Sequence, residues 1–131
     1  MIHEELTEII IRSFYTVYNS LGFGFLEKVY QNAMAIELTK HGLSIETHSK
    51  IPVYFTGYIV GEYYADIIVD RTVVIELKAA ECLMSANEKQ LVNYLKASQI
   101  EVGLLLNFGK VPQIKRNLFE NKSKPGLNQF Q

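Results

Sequence analysis

Three residues in the middle of the chain have the types and spacing needed for phosphate chemistry: Asp66, Glu76 and Lys78. Glu76 and Lys78 interrupt and end the apolar run 73–77, and two residues of a strand that are two apart share one face. Asp66 is in a similar setting, because it precedes the apolar run 67–69. A carboxylate inside an apolar strand costs free energy unless it has a partner, so this pattern needs an explanation.

The segment around these residues can form a hairpin whose loop is residues 70–72. Counting outward from that loop pairs Val69 with Val73, Ile68 with Val74, Ile67 with Ile75, and Asp66 with Glu76. Two ionised carboxylates ~4 Å apart repel by about 4 kcal/mol at an effective dielectric of ~20, a large share of a domain's stability of ~5–15 kcal/mol. A shared Mg²⁺ or Mn²⁺ would offset the repulsion, and the backbone carbonyl of Leu77 could complete the ligand set. The sequence therefore predicts a divalent-metal site.

Lys78 has a chemical role next to such a metal. Its ammonium group would orient or activate the attacking water and stabilise the charge that develops on phosphorus. The alternative is a salt bridge between Glu76 and Lys78 at the strand end, with Asp66 protonated or bonded to the backbone. For an arbitrary E-x-K this alternative is the commoner outcome, so the rest of the chain has to decide.

The remaining sequence predicts the elements that position these residues. Apolar residues spaced by three and four indicate helices, and clusters of β-branched and aromatic residues indicate strands. The element order is ααβββαβ, followed by a basic segment without an assignment and by a loosely ordered tail over residues 117–131. The predicted helices cover about 4–20, 25–41 and 85–98, and the predicted strands are three or four within 44–78 and one over 101–107.

Bulk properties exclude several classes of protein. A length of 131 residues fits one domain, with a core over about residues 4–116. The apolar runs are far shorter than the ~20 residues of a membrane span, and the first residues lack the pattern of a secretory signal, so we expect a cytoplasmic protein. The one cysteine excludes an internal disulfide. Residues 1–88 carry a formal charge of −6 and residues 89–131 carry +5, a split compatible with a metal site beside a phosphate-binding surface.

Two helical pairs add context to the central motif. Glu27 and Tyr30 are three residues apart on the second helix, and Gln90 and Tyr94 are four apart on the third, so each pair shares a helix face. Each residue also has an ordinary interpretation. Glu27 suits the start of a helix, Tyr30 and Tyr94 suit a core, and Gln90 suits a surface.

Gly24-x-x-Glu27-x-x-Tyr30 resembles the motif of the GxxExxY proteins, a group placed in the PD-(D/E)xK nuclease superfamily, and the resemblance extends from about Leu6 to Arg116. Gln90-x-x-x-Tyr94 resembles the motif of the RecB-like branch. The resemblance implies a restriction-endonuclease-like α/β (α+β) fold with a mixed sheet flanked by helices. It also implies that Asp66, Glu76 and Lys78 form the catalytic core, with Glu27 adding to the metal environment. Ala65 replaces the proline of the family pattern.

The sequence and the resemblance together predict a metal-dependent nuclease that hydrolyses phosphodiester bonds of nucleic acid, with DNA preferred to RNA. The alternative is a nuclease-fold module without turnover that binds nucleic acid or assembles with other proteins. No base-reading element is evident, so specificity would come from a partner, a homodimer or a larger complex. The predicted substrate-contacting residues are Gln90, Tyr94, Tyr30, Lys115 and Arg116, with Lys89, Lys96 and Lys110 as further candidates for phosphate contacts.

Overall fold

A computed structural model describes residues 2–124 of the chain. Three helices and five strands alternate along it in the order ααβββαββ, and a short 3₁₀ helix over Asn121–Ser123 follows the last strand. Among these residues no helix is both long enough and apolar enough to cross a membrane. The helices are α1 (Glu4–Leu21), α2 (Glu27–Lys40) and α3 (Ser85–Ala97), and the strands are β1 (Ile45–Phe55), β2 (Tyr58–Val69), β3 (Val73–Lys78), β4 (Val102–Phe108) and β5 (Pro112–Leu118).

The five strands form one mixed sheet in the order β1-β2-β3-β4-β5. Neighbouring strands are antiparallel except for β3 and β4, which are parallel and are connected through α3. A parallel pair needs a crossover of this kind, whereas antiparallel neighbours need only tight turns. Strand β3, which carries Glu76 and Lys78, therefore lies in the middle of the sheet.

Helices cover both faces of the sheet and divide the core in two. On one face, α1 and α2 pack against Ile67, Ile75 and Leu104. On the other face, α3 packs against Ile68 and Val74 through Leu91, Tyr94 and Leu95. Residues 73–77 are buried on both sides, which explains why that strand is a continuous apolar run broken only by Glu76.

This architecture confirms the predicted mixed α/β (α+β) fold. The three predicted helices are present within a few residues of their expected bounds, and residues 44–78 contain three strands. The predicted hairpin register is confirmed for Val69 with Val73, for Ile68 with Val74, and for Ile67 with Ile75.

The C-terminal part of the prediction was wrong. The basic segment without an assignment is the edge strand β5, and the region 117–124 expected to be loosely ordered is tied to the fold. Lys124 is buried, and its ammonium group donates to the carbonyls of Ser98 at 2.9 Å and Ile100 at 2.7 Å. Charged side chains are common on edge strands because they discourage pairing with another chain, so the basic composition hid the strand. Residues 125–131 of the predicted tail lie outside the described residues.

A close approach between α3 and β4 fixes the height of α3 above the sheet. A Cβ atom at Gly103 would lie 2.8 Å from Cδ1 and 3.0 Å from Cγ of Leu91, whose side chain is fully buried. We expect Gly103→Ala to lower the free energy of unfolding by about 1–3 kcal/mol, because the overpacked helix has to move. Gly61→Ala is the matched control in the same sheet, since a Cβ atom there has open space. Chemical denaturation of both variants tests this, and equal effects would show that the contact does not limit packing.

Candidate active site

Asp66 and Glu76 face each other where the β2–β3 ladder stops. The last backbone pair on this side is Ile67 with Ile75. Beyond it the backbone N–H of Asp66 donates to Oε1 of Glu76 at 3.1 Å, and the N–H of Leu77 donates to Oδ2 of Asp66 at 2.8 Å. The two carboxylates thus replace the next rung of the ladder. Each is held by a backbone amide through one oxygen, which leaves its other oxygen for a further partner.

An irregularity in β2 explains why the ladder stops there. Ile67 packs in the core under α1 and α2, whereas Ala65, two residues earlier, packs in the core under α3. Regular alternation would put both on one face, so the strand changes face around Asp66. The neighbouring strand shows the same disturbance, because His48 has a φ of 51° between the pairs Thr47–Ile67 and Ser49–Ala65.

The pair is buried enough to change its own acidity. Glu76 is only 5% exposed, and burial, followed by repulsion from Asp66, raises its pKa to about 8. The pKa of Asp66 is also raised, chiefly by burial, although the Leu77 N–H opposes that shift. When two carboxyl groups are held close together, the charge on one opposes ionisation of the other.

Lys78 completes the predicted triad at the end of β3. It is half-buried, and its positive charge lowers the pKa values of both Asp66 and Glu76, so it lies close to the pair. Within residues 2–124 no ion pair joins Glu76 to Lys78, which removes the salt bridge of the alternative interpretation. The backbone bond to Asp66 that this alternative expected does occur, through the N–H of Leu77.

Helix α2 reaches the same place, although not as predicted. The charge of Glu27, exposed in the first turn, raises the pKa of Glu76, which places it near the pair. No group of three acidic, histidine or cysteine side chains within residues 2–124 lies close enough together to hold a metal, so the geometry does not support Glu27 as a third carboxylate ligand.

Sequence reasoning missed Gln31. Its amide Nε2 donates to the backbone carbonyl of Asp66 at 3.1 Å and joins α2 to β2 beside the site. Gln31 is one helical turn after Glu27, and the side chain is buried. A glutamine at i+4 from the acid of the motif, on the same helix face, was the available signal.

Tyr30 has a structural position and not the predicted substrate contact. The side chain is fully buried, with its ring stacked on Phe108 at a centroid distance of 4.1 Å. Its hydroxyl donates to the carbonyl of Gly22 at 2.7 Å and accepts from the N–H of Phe25 at 3.2 Å. Tyr30 therefore fixes the turn before α2, and the ordinary interpretation of a core aromatic is the correct one.

Gln90 and Tyr94 lie on α3 beside the pair, as a helix over β3 should place them. Gln90 Nε2 donates to the Tyr94 hydroxyl at 2.8 Å. Burial and then repulsion from Glu76 raise the pKa of Tyr94 to about 12. Tyr94 is only 2% exposed, so its hydroxyl positions Gln90 and does not itself contact a ligand. Gln90 is only half-buried, so of these two residues it is the one that can reach a ligand.

The two basic residues predicted to contact substrate separate on β5. Lys115 is exposed and pairs with Leu105, which in turn pairs with Glu76, so Lys115 lies in the same row of the sheet as the acid. Arg116, the next residue, points to the opposite face, where its Nη2 donates to the carbonyl of Ile2 at 2.6 Å. The prediction that Arg116 binds substrate is therefore not supported, because its guanidinium holds the start of α1.

The donor set of the pair fits a hard divalent cation. Asp66 and Glu76 supply carboxylate oxygens, and the Leu77 peptide is fixed beside them through its N–H. Mg²⁺ is commonly bound through one or two carboxylates, with water and substrate phosphates filling the remaining positions. A cation would also offset the repulsion from Asp66 that, after burial, contributes to the raised pKa of Glu76.

Comparison with known proteins identifies the family of the chain. A family model described as the PD-(D/E)XK nuclease superfamily matches residues 4–117, which include every element from α1 to most of β5. No curated protein and no solved structure gives a match. Nucleases of this superfamily act on nucleic acid and generally use divalent metals. The order acid, then (D/E)-x-K on the next strand, is met by Asp66 and by Glu76-Leu77-Lys78 in adjacent antiparallel strands. The chain belongs to the PD-(D/E)XK nuclease superfamily.

Proposed function

We propose that this protein is a Mg²⁺- or Mn²⁺-dependent nuclease that hydrolyses phosphodiester bonds, with DNA as the preferred substrate. The observation that carries the proposal is the pairing of buried Glu76 with half-buried Asp66, each held by a backbone amide at the end of the β2–β3 ladder. Without a cation, two carboxyl groups with raised pKa values destabilise the folded protein once they ionise. Together with Lys78 they provide the metal ligands and the positive charge that phosphodiester hydrolysis needs.

The roles in this proposal follow from position and charge. Asp66, Glu76 and the carbonyl of Leu77 would hold the metal, which would supply Lewis-acid activation of the phosphate and water when bound. Lys78 would position the attacking water and balance negative charge developing on the phosphate. Glu27 would act through its charge beside the pair.

Substrate contacts in this proposal come from Gln90 and from exposed lysines. Lys115 lies in the row of Glu76 on the sheet, so it could contact a phosphate of the same strand that is cleaved. Arrangement as a homodimer or in a larger complex would supply the base recognition that the chain lacks, and the cytoplasm is the compartment that we propose.

The carboxylate pair predicts an unusual dependence of stability on pH without metal. The folded protein holds a proton on Glu76 up to about pH 8, whereas the unfolded chain releases it near its ordinary pKa of 4.5. The folded state binds more protons in that window, so its free energy of unfolding falls as pH rises, by up to about 1.4 kcal/mol per pH unit for this one group. Thermal unfolding in EDTA between pH 5 and 8 measures this slope.

Two substitutions serve as controls for the pH experiment. Glu76→Gln should flatten the profile because the group no longer titrates, whereas Glu46→Gln, on the exposed surface of β1, should keep the wild-type slope. An identical slope in wild type and Glu76→Gln would mean that the pair does not share a proton.

Metal binding can be tested before the substrate is known. Without metal, Asp66→Asn should be at least as stable as wild type, because it removes the charge that opposes ionisation of Glu76 and because an amide oxygen can still accept from Leu77. With Mn²⁺ at about 100 times its Kd, the wild type should gain about 2.7 kcal/mol and Asp66→Asn little. If Asp66→Asn melts well below wild type without metal and Mn²⁺ shifts neither protein, Asp66 is a structural acid.

Activity should depend on both strands of the site. With Mn²⁺ the wild type should cleave DNA, and Glu76→Ala and Lys78→Ala should each lose at least about 10²-fold in rate, as is typical when a group stabilising the transition state is removed. Lys40→Ala is the control, because Lys40 is exposed in the last turn of α2, at the opposite end of that helix from Glu27. Gel assays on single-stranded DNA, double-stranded DNA and RNA identify the substrate, and cleavage that persists in Glu76→Ala would point to another site or a contaminant.

A further inference from the structure

The turn between α1 and α2, together with the first turn of α2, exposes large apolar side chains. Phe23 is 54% exposed, Phe25 47%, Leu26 80% and Val29 37%. Single exposed apolar residues are ordinary on protein surfaces, but a contiguous group marks a contact site more often than chance. We refer to these four residues as the apolar turn.

The buried side chain of Tyr30 holds the apolar turn in place. Tyr30 bonds to the carbonyl of Gly22 and the N–H of Phe25, and the Phe25 ring meets the Tyr30 ring edge-on at 6.1 Å. Gly22 and Gly24, with φ of 67° and 112°, give the backbone a path that other residues rarely adopt. Since Tyr30 is itself stacked on Phe108 in the core, the turn is organised before any ligand arrives.

Folding requirements explain Phe25 but not Leu26. Phe25 lies at the N′ position of α2 and packs on Tyr30 at N4, which is the arrangement of a hydrophobic staple. Leu26 occupies the N-cap, where Ser, Thr, Asp or Asn is preferred, and makes no side-chain cap. It is also the most exposed of the four. A side chain that neither caps the helix nor packs is more simply explained by a ligand.

The apolar turn leads into the helix that contacts the site. Gln31 of α2 bonds to the carbonyl of Asp66, and Glu27 is one helical turn earlier, about 6 Å along the axis. Leu26 immediately precedes Glu27. Lys28, exposed in the same first turn, and Lys78 at the end of β3 add positive charge near this surface. A polymer bound here would meet carboxylates, ammonium groups and an apolar surface together.

We propose that the apolar turn stacks against an unpaired nucleobase next to the phosphodiester bond at Asp66 and Glu76. Surfaces that bind single strands combine positive charge for the backbone with aromatic side chains on which the bases stack, and Phe23 and Phe25 are the aromatic members of the apolar turn. Bases inside a duplex are already stacked, so the substrate class is single-stranded nucleic acid or a frayed end. This inference rests on the proposed nuclease function.

A second exposed apolar group serves as an internal comparison. Phe55, Tyr58, Ile59 and Val60 form the tip of the β1–β2 hairpin and are each more than half exposed. Tyr58 is eight residues from Asp66 along β2, which corresponds to about 26 Å of extended strand. The hairpin tip is therefore as apolar as the turn but distant from the carboxylates.

The experiment uses the absence of tryptophan from the sequence. In an Asp66→Asn background, chosen to prevent turnover, Phe25→Trp gives a single fluorophore in the turn and Phe55→Trp gives one at the hairpin tip. Each is titrated with a short single-stranded oligodeoxynucleotide and with an abasic strand of the same length, and anisotropy of a labelled strand reports binding independently. We expect that only the base-containing strand quenches the tryptophan fluorescence of Phe25→Trp, and that neither strand quenches that of Phe55→Trp.

Affinity gives a second readout that does not need tryptophan. In the same background, Leu26→Ala should weaken binding of the base-containing strand roughly tenfold and leave the abasic strand unaffected, as expected when a stacking contact is lost. Ile36→Ala, which removes a 62% exposed side chain further along α2, should change neither affinity.

The outcomes separate this inference from the proposed function. Binding with neither quenching nor a Leu26→Ala effect overturns the stacking proposal and leaves the nuclease proposal standing. No binding of either strand, both by the Asp66→Asn proteins and by the wild type with Mn²⁺, overturns both proposals. Equal quenching at Phe25→Trp and Phe55→Trp, or a change of self-association in Leu26→Ala without a change in affinity, also overturns the stacking proposal, since the turn would then be a general apolar surface or an interface between copies.

Discussion

The confinement of two carboxylates at the end of one hairpin is the constraint on which the rest of the structure depends. Asp66 and Glu76 could have been separated by a shift of one residue in register, which would move every side chain of one strand to the other face. The apolar residues between the two acids oppose that shift, because Ile67, Val69 and Ile75 are all fully buried. Burial of the hairpin therefore compels the two acids to meet.

The surrounding elements hold this unfavourable arrangement in place. On one side Gln31 of α2 bonds to the backbone of Asp66, and on the other side Tyr94 of α3 walls off Glu76. Both helices are attached to the sheet through large apolar cores, so the free energy that holds the acids comes from residues far from any ligand. The buried backbone bonds to the carboxylates mean that the site does not need a ligand to be organised.

Features governed by periodicity and counting could be predicted from the sequence. The three helices follow from apolar spacing, and the Val69–Val73 register follows from the length of the loop. Counting from the loop could not predict how Asp66 and Glu76 meet, because their side chains bond to the backbone where the next backbone pair would form. That change depends on the switch of face between Ala65 and Ile67, which no local propensity encodes.

Long-range packing explains the other errors. Strand β5 was invisible because an edge strand with basic residues lacks the apolar alternation of a buried one. Residue type alone could not tell that Tyr30 would turn inward and Arg116 away from the site, because both depend on partners distant in sequence: Phe108 for the ring and Ile2 for the guanidinium. The predicted residues that the structure brings together, Asp66, Glu76 and Lys78, lie on one hairpin, where spacing determines position.

A site with only two metal-binding carboxylates would couple binding of the metal to binding of the nucleic acid. Since no third acidic, histidine or cysteine side chain within residues 2–124 joins the pair as a metal-binding group, a cation held by the two carboxylates and the Leu77 peptide would take its remaining ligands from water and from phosphate oxygens of the substrate. Metal and nucleic acid would then share ligands, so each would bind more tightly in the presence of the other. An apolar turn that contacts a base beside the same phosphate would add to this coupling, because it holds the polymer where its phosphate completes the site.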